Sequence, residues 1–195
     1  MKQTRKIVAP ALLVLIITLI ISLIPTEAEA AIYEDTVRLH ILANSDSEED
    51  QRLKLAVRDG LLSKYSRELA SLEDVDGAEK KILSLLSEIE AEAERIIEKK
   101  GYSYKCRASL GEEWYDTRDY GDFSLPAGIY KSLIIEIGKG EGKNWWCVMF
   151  PPMCTEIAAS DNAASYTEEE NALIARGKYK IKFKTLELLS YVFSK

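Results

Sequence analysis

Apolar residues recur along this chain with different periods, and each period predicts a different element. From Thr36 to Ala43 they alternate. Val37, Leu39, Ile41 and Ala43 share one face, and Arg38, His40, Leu42 and Asn44 share the other. Period two predicts a strand, and Asn44-Ser45-Asp46-Ser47 ends it. Leu53, Val57, Leu61, Tyr65 and Leu69 then follow at steps of four, with Ala56 and Leu62 widening the stripe. That spacing predicts a helix from about Glu48 to about Leu69. Ser47 and Asp50 before it resemble a capping box, and Glu48, Glu49 and Asp50 fill the first turn. Gly60 inside the helix costs up to about 1 kcal/mol relative to alanine and marks close packing. Ser71 to Gly77 is a polar connection. A second stripe, Ile82, Leu85, Leu86, Ile89, Ala93, Ile96 and Ile97, predicts a helix from about Ala78 to about Lys100. Gly101 takes the residue after its C-cap. Glu88, Glu90, Glu92, Glu94 and Glu98 read as its solvated side.

Alternation returns with Tyr102, Tyr104, Cys106, Ala108 and Leu110, a half-buried strand. Glu112 to Asp122 is less regular. Trp114 and Tyr115 suggest a second short strand, and Thr117 to Asp122 a loop. After a turn at Leu125-Pro126-Ala127-Gly128, Ile129 to Ile137 is a strand with Ile129, Leu133, Ile135 and Ile137 on one face. Gly138 to Lys143 reads as a hairpin loop. In the next strand, Asn144 to Phe150, both faces carry large apolar groups, so it is covered on both sides. Pro151-Pro152 stops it, because neither proline donates to a ladder. Beyond Cys154, Thr155 to Glu170 is polar loop, Lys178 to Lys184 alternates as a strand, and Thr185 to Phe193 predicts a terminal helix. The fold class is α+β. A single domain is expected, with a mostly antiparallel sheet of about four to five strands packed on two long helices, plus a C-terminal helix.

The N-terminus departs from all of this. Lys2, Arg5 and Lys6 precede an uncharged apolar run, Ile7 to Ile24. Pro25 breaks the run, and Ala28-Glu29-Ala30 fits a small-x-small cleavage site before Ala31. This is the layout of an export signal occupying residues 1–30, ahead of an exported domain at 31–195. An uncleaved anchor is the alternative, since the run sits at the short limit for spanning a bilayer. The basic head stays in the cytoplasm and the rest goes outside. The formal net charge is −6, and losing three positive and two negative charges with the signal makes it −7. An acidic domain is a poor partner for nucleic acid and gains nothing from anionic lipid, so membrane contact is expected only through the export signal. Export also gives the three cysteines an oxidising setting. Three single bridges are available. Cys147–Cys154 is favoured, because a Pro-bent turn separates them, with Cys106 as a buried small hydrophobe. Three reduced, buried thiols remain the alternative.

Few residues carry an argument for chemistry. Gly138-x-Gly140-x-Gly142-Lys143-Asn144 has a Gly-Lys pair, but a phosphate loop needs Ser or Thr next and a helix after it, whereas Asn144 and a strand follow. His40 is the single histidine, with Ser45 and Asp46 nearby, yet no nucleophile-elbow sequence surrounds Ser45. Cys147 and Cys154 lack zinc-finger spacing. No cofactor, metal or catalytic set is expected.

Two blocks together are more specific. Arg38-Leu39-His40-Ile41-Leu42-Ala43-Asn44-Ser45-Asp46-Ser47, with Asp50-Gln51, Leu53-Lys54 and Val57-Arg58-Asp59, resembles the N-terminal signature of the stage II sporulation protein R family. Leu125-Pro126-Ala127-Gly128-x-Tyr130, then Gly138-x-Gly140-x-Gly142-x-Asn144-Trp145-Trp146-Cys147-Val148-x-Phe150-Pro151-Pro152-x-Cys154, resembles its C-terminal half. Tyr179 to Leu188 is similar more loosely. Cys106 and the segment from Cys154 to Gly177 match no such pattern. The resemblance implies a signalling role. Members are exported from the forespore into the space between forespore and mother-cell membranes. There they are required to activate a membrane-embedded aspartic protease of the mother cell, which cleaves the pro-sequence of a sigma factor. The catalytic aspartates belong to that receptor. On this reading Arg38, His40, Asn44, Ser45 and Asp46, with Asn144, Trp145 and Trp146, are the expected receptor-binding residues, because both blocks mix solvent-seeking and large apolar groups at an element end. Exported-hydrolase and cell-envelope-binding readings are the alternatives.

Overall fold

The computed structural model describes residues 10, 12–14, 16–17, 27–120, 124–151 and 174. The expected strand at 178–184, the terminal helix at 185–193 and Cys154 lie outside these residues. Helix α1 (Glu27–Glu34) leads into strand β1 (Val37–Leu42). Helices α2 (Glu48–Ala70) and α3 (Val75–Lys99) follow. Then come β2 (Cys106–Tyr115), β3 (Arg118–Asp119), β4 (Ser124–Leu125), β5 (Gly128–Ile137) and β6 (Asn144–Phe150). The main sheet has the order β2-β5-β1-β6, and β3 and β4 pair separately.

The helices form where the periodicity places them, and local chemistry sets their ends. Ser47 caps α2, accepting from the Asp50 N–H at 3.2 Å. Asp74 caps α3, accepting from the Gly77 N–H at 2.7 Å, so α3 starts three residues earlier than the apolar stripe suggests. Its C-terminus closes as expected. Gly101 has φ 87°, its N–H donates to Glu98 O, and the Tyr102 N–H donates to Ile97 O. These are the two bonds of a Schellman motif. Both long helices pack on one face of the sheet. Val37, Leu39, Ile41, Leu133, Ile135, Ile137 and Cys147 meet Val57, Leu61, Ile82, Ile89 and Ile97 in the main core. Gly60 allows the close packing its position suggested, because a Cβ there would lie 2.4 Å from Ile96 Cδ1.

Three expectations change. β2 runs unbroken through Gly111 to Tyr115, because β5 pairs along its whole length, from Cys106↔Ile137 to Tyr115↔Gly128. Gly138 to Lys143 is not a hairpin loop, because β1 lies between β5 and β6. β1 is parallel to β5 and antiparallel to β6. The loop therefore crosses the end of β1, a gap of two strand spacings, about 9.6 Å. The glutamates of α3 are more than a solvated face. Glu90 and Glu94 accept from the Ala108 and Cys106 N–H groups at 3.0 and 3.2 Å, covering part of the open edge of β2.

The second face of the sheet is also covered. Ile32 of α1, Tyr115, Leu125, Tyr130, Val148 and Ile174 form a second buried cluster. Tyr33 donates its hydroxyl to Ala127 O at 3.0 Å and stands edge-on to Tyr130. Alternation puts Arg38 and His40 on this face, so the polar side of β1 is an interior side.

Candidate functional site

The two sequence blocks meet at one end of the sheet, where β1 stops, β5 stops and β6 begins. After Leu42 the chain turns through Asn44, Ser45 and Asp46 into α2. The Asp50 carboxylate accepts from Asn44 Nδ2 at 2.8 Å and from the Ser45 hydroxyl at 2.5 Å. Asp50 is buried. Burial alone raises its pKa, but the bonds from Ser45, Asn44, Tyr104 and Ser47 outweigh that and hold it below the usual aspartate value. Asp50 thus completes the turn rather than reaching back to the Ser47 N–H as in a capping box, because that N–H donates to Ser45 Oγ at 3.2 Å.

The crossing loop then locks onto this turn. Its Gly142 N–H donates to Ala43 O at 2.8 Å, Lys139 N–H to Asn44 Oδ1 at 3.1 Å, and Lys143 N–H to Asp46 Oδ1 at 2.7 Å. The Lys54 ammonium is buried beneath, donating to Lys143 O at 2.7 Å and Gln51 Oε1 at 2.6 Å. Its pKa is pushed down, by burial first and by Arg58 and Lys143, although Asp46 opposes this. Glycine is required where the loop touches the turn. A Cβ on Gly142 would lie 2.2 Å from Ser45 O, and one on Gly138, at φ 61°, would lie 2.3 Å from Asn44 Oδ1. The Gly-rich tract is therefore a bridge over a strand end, with its amides committed to the protein rather than open to a phosphate.

The eight residues singled out in the sequence fall into two groups. Asp46 and Asn144 are exposed, and Asn44, Ser45, Trp145 and Trp146 are half-buried. Trp145 packs against the main core, with the Arg58 guanidinium 4.8 Å from its ring centre. Arg38 and His40 are not on an accessible surface. Arg38 is 0% exposed and His40 7%.

Arg38 sits among tyrosines, its guanidinium carbon 4.0 Å from the ring centre of Tyr115 and 4.9 Å from that of Tyr130. Its Nη2 donates to the Tyr120 hydroxyl, while Nε and Nη1 have no hydrogen-bond partner among the described residues. The π faces of the rings take much of the place of water around the cation. His40 Nδ1 lies 3.0 Å from both carboxylate oxygens of Glu113. Burial raises the Glu113 pKa, but His40, Ser132 and Tyr115 together lower it further. The imidazole stacks on Trp146 at 5.5 Å, and the Arg118 guanidinium lies 3.8 Å from the same ring. The His40–Glu113 pair has the orienting half of a triad, but among the described residues no serine or cysteine side chain bonds the imidazole.

Glu113, Tyr115, Tyr130 and Lys54 were not singled out by sequence reasoning. Tyr115 was read only as part of a short strand, Lys54 and Tyr130 fell within the two sequence blocks without a role, and nothing local marked Glu113. Among the described residues no group of three or more His, Cys, Asp or Glu is placed to hold a metal ion.

A family model described as Stage II sporulation protein R matches residues 33–160. The Stage II sporulation protein R of Bacillus subtilis (strain 168) is 36% identical over 139 residues, covering 71% of this chain. The match spans 62% of that relative's length. No solved structure matches the chain.

Proposed function

Because the chain belongs to the stage II sporulation protein R family, we propose that it is an exported sporulation signal. It activates a membrane-embedded aspartic protease of the mother cell across the intermembrane space, and that protease cleaves the mother-cell pro-sigma factor. One observation carries this reading. The turn at Asn44–Asp46 and the loop at Gly138–Lys143 are bonded to each other, and together they present a rim rather than a nucleophile, a base and oxyanion donors. A rigid rim suits recognition, because little ordering cost is left for the moment of binding.

The receptor contacts Asp46 and Asn144, with the half-buried Asn44, Ser45 and Trp145 beside them. Arg38, His40 and Trp146 stiffen the strands behind that rim. Export is supported by the basic head and the apolar run at Ile7 to Ile24. Pairing of Cys147 with Cys154 is supported by the Pro-bent turn between them in the sequence and by Cys106 being a buried free thiol. Burial, then Glu90, Glu94 and Glu136, push the Cys106 thiol up to about 12, which keeps it protonated and inert.

The test is reconstitution in a host lacking sporulation genes. The full chain is co-expressed with the receptor protease and its pro-sigma substrate. Cleavage is expected only when the chain is present. Equal cleavage with and without it would overturn the reading.

A further inference from the structure

The end of the sheet opposite the rim exposes an apolar pair. Trp114 on β2 and Ile129 on β5 are register partners, 49% and 56% exposed. They lie on the helix side of the sheet, in line with Lys131, whose ammonium pairs with Glu79 of α3. No described element covers them. The next residue, Gly128, is where α1 docks. A Cβ there would lie 2.7 Å from the Tyr33 ring, and Tyr33 bonds the neighbouring Ala127 O. Ile32 is fully buried beside it.

The apolar run at Ile7 to Ile24 therefore joins the domain at this end. Between Ile24 and the buried Ile32, three extended steps of about 3.5 Å and five helical steps of about 1.5 Å reach about 18 Å at most. Within the run, Leu12, Leu13, Val14, Ile16 and Ile17 are helical and 44–62% exposed. Exposed apolar side chains on a helix are suited to lipid, though among the described residues no helix is long and apolar enough to cross a membrane.

From the exposed pair and the short leash, we propose that the Trp114–Ile129 end of the sheet rests on the lipid surface in which the N-terminal run is inserted. This rests on the export reading, with the run retained as an anchor. Trp and Ile suit the boundary between headgroups and acyl chains. Two side chains bind lipid weakly on their own. The anchor supplies the high effective concentration that makes a weak contact sufficient. The contact is apolar, and Glu112 and Asp116 nearby disfavour anionic headgroups, so it needs no negative lipid. β5 is ten residues long, so the rim stands about 33 Å away, facing into the space beyond.

The experiment uses the full chain in vesicles of zwitterionic phosphatidylcholine, with plain or chain-brominated lipid, which quenches tryptophan on contact. Wild type is expected to lose the Trp114 share of its emission in brominated lipid, at low and at high salt. Trp114→Phe is expected to show no bromine-dependent loss, because Trp145 and Trp146 lie at the far end. Their unchanged emission also reports that the variant is folded. A chain that does not float with the vesicles would overturn the anchor reading, and this proposal with it. A chain that floats but is quenched equally in both forms would overturn the lipid contact alone. If that equal quenching came with lost sigma-factor processing in Trp114→Phe, the pair would belong to the receptor instead.

Discussion

Where β1 stops, the Gly142 N–H meets Ala43 O, the Lys143 N–H meets Asp46, and Asp50 holds Asn44 and Ser45 from below. Where β1 starts, rings and apolar side chains make most of the contact, with hydrogen bonds from the Tyr33 and Tyr130 hydroxyls to Ala127 O and Pro126 O beside them: Tyr33 on Gly128, Ile32 among Tyr115 and Tyr130, and Trp114 beside Ile129 in solvent. Hydrogen bonds are directional and fix backbone positions to fractions of an ångström. Apolar burial is non-directional and tolerates sliding. A surface that must be recognised belongs at the first end. A surface that must only adhere belongs at the second. The two ends should therefore fail differently, and substitution can show whether they do.

The largest effect is expected at Gly142. A valine there drives its Cβ into the Ser45 carbonyl, which is backbone and cannot rotate away. Gly142→Val should cost about 3 kcal/mol or more, read as a fall in Tm of ~10 °C. Gly101 is the control. Unlike Gly142 it has positive φ, at 87°, and nothing lies within 4 Å of a Cβ there. Gly101→Ala should cost only about 1 kcal/mol. A loss at Gly142 no larger than that at Gly101 would mean that the loop–turn contact adds little to stability.

Asp50 comes next. Its pKa is depressed when folded, so its contribution is fully present above the ordinary aspartate value and lost as pH falls through the folded value. Asp50→Asn should unfold at lower urea than wild type at pH 7, by about 2 kcal/mol. The gap should narrow once pH falls below the ordinary aspartate value and close as it passes below the folded one. A gap independent of pH would show that the Asp50 charge contributes nothing and only its shape matters.

At the other end, Gly128→Ala pushes on the Tyr33 ring, a side chain that can yield. About 1–2 kcal/mol is expected. Limited proteolysis should cut near α1 sooner, while signalling in the co-expression assay persists. Loss of signalling would mean the two ends are coupled.

These ends were unequally legible in the sequence. The helices were readable because Leu53 to Leu69 and Ile82 to Ile97 keep one period for several turns. The start of α3 was misplaced, because Asp74 acts through a single cap bond that leaves no periodic trace. Asn44-Ser45-Asp46 and the glycine tract were recognised, but not as partners. Their contact depends on β1 lying between β5 and β6, and a parallel pairing across two helices and three strands leaves no local mark. The covered face was hidden for another reason. Arg38 and His40 alternate with apolar residues, and their polarity placed them among the expected receptor contacts. Their cover comes from α1, Tyr115 and Tyr130, far apart in the chain.

Asp46 offers the smallest change in stability and the sharpest separation of shape from charge. Its Oδ1 accepts from the Lys143 N–H at 2.7 Å, while the residue itself is exposed. Asp46→Asn keeps an oxygen in the same place, so the loop should stay locked, with a stability change within about 0.5 kcal/mol. Asp46→Ala removes the acceptor and should cost about 1 kcal/mol, without unfolding the domain. If the receptor reads the rim through its shape, Asn should process the sigma factor normally and Ala poorly. If the receptor reads the carboxylate itself, both should fail equally although only Ala loosens the loop. Full processing by both variants would remove Asp46 from the interface and leave Asn144, Asn44, Ser45 and Trp145 as the remaining contacts to test. The comparison of ends would then hold for stability alone.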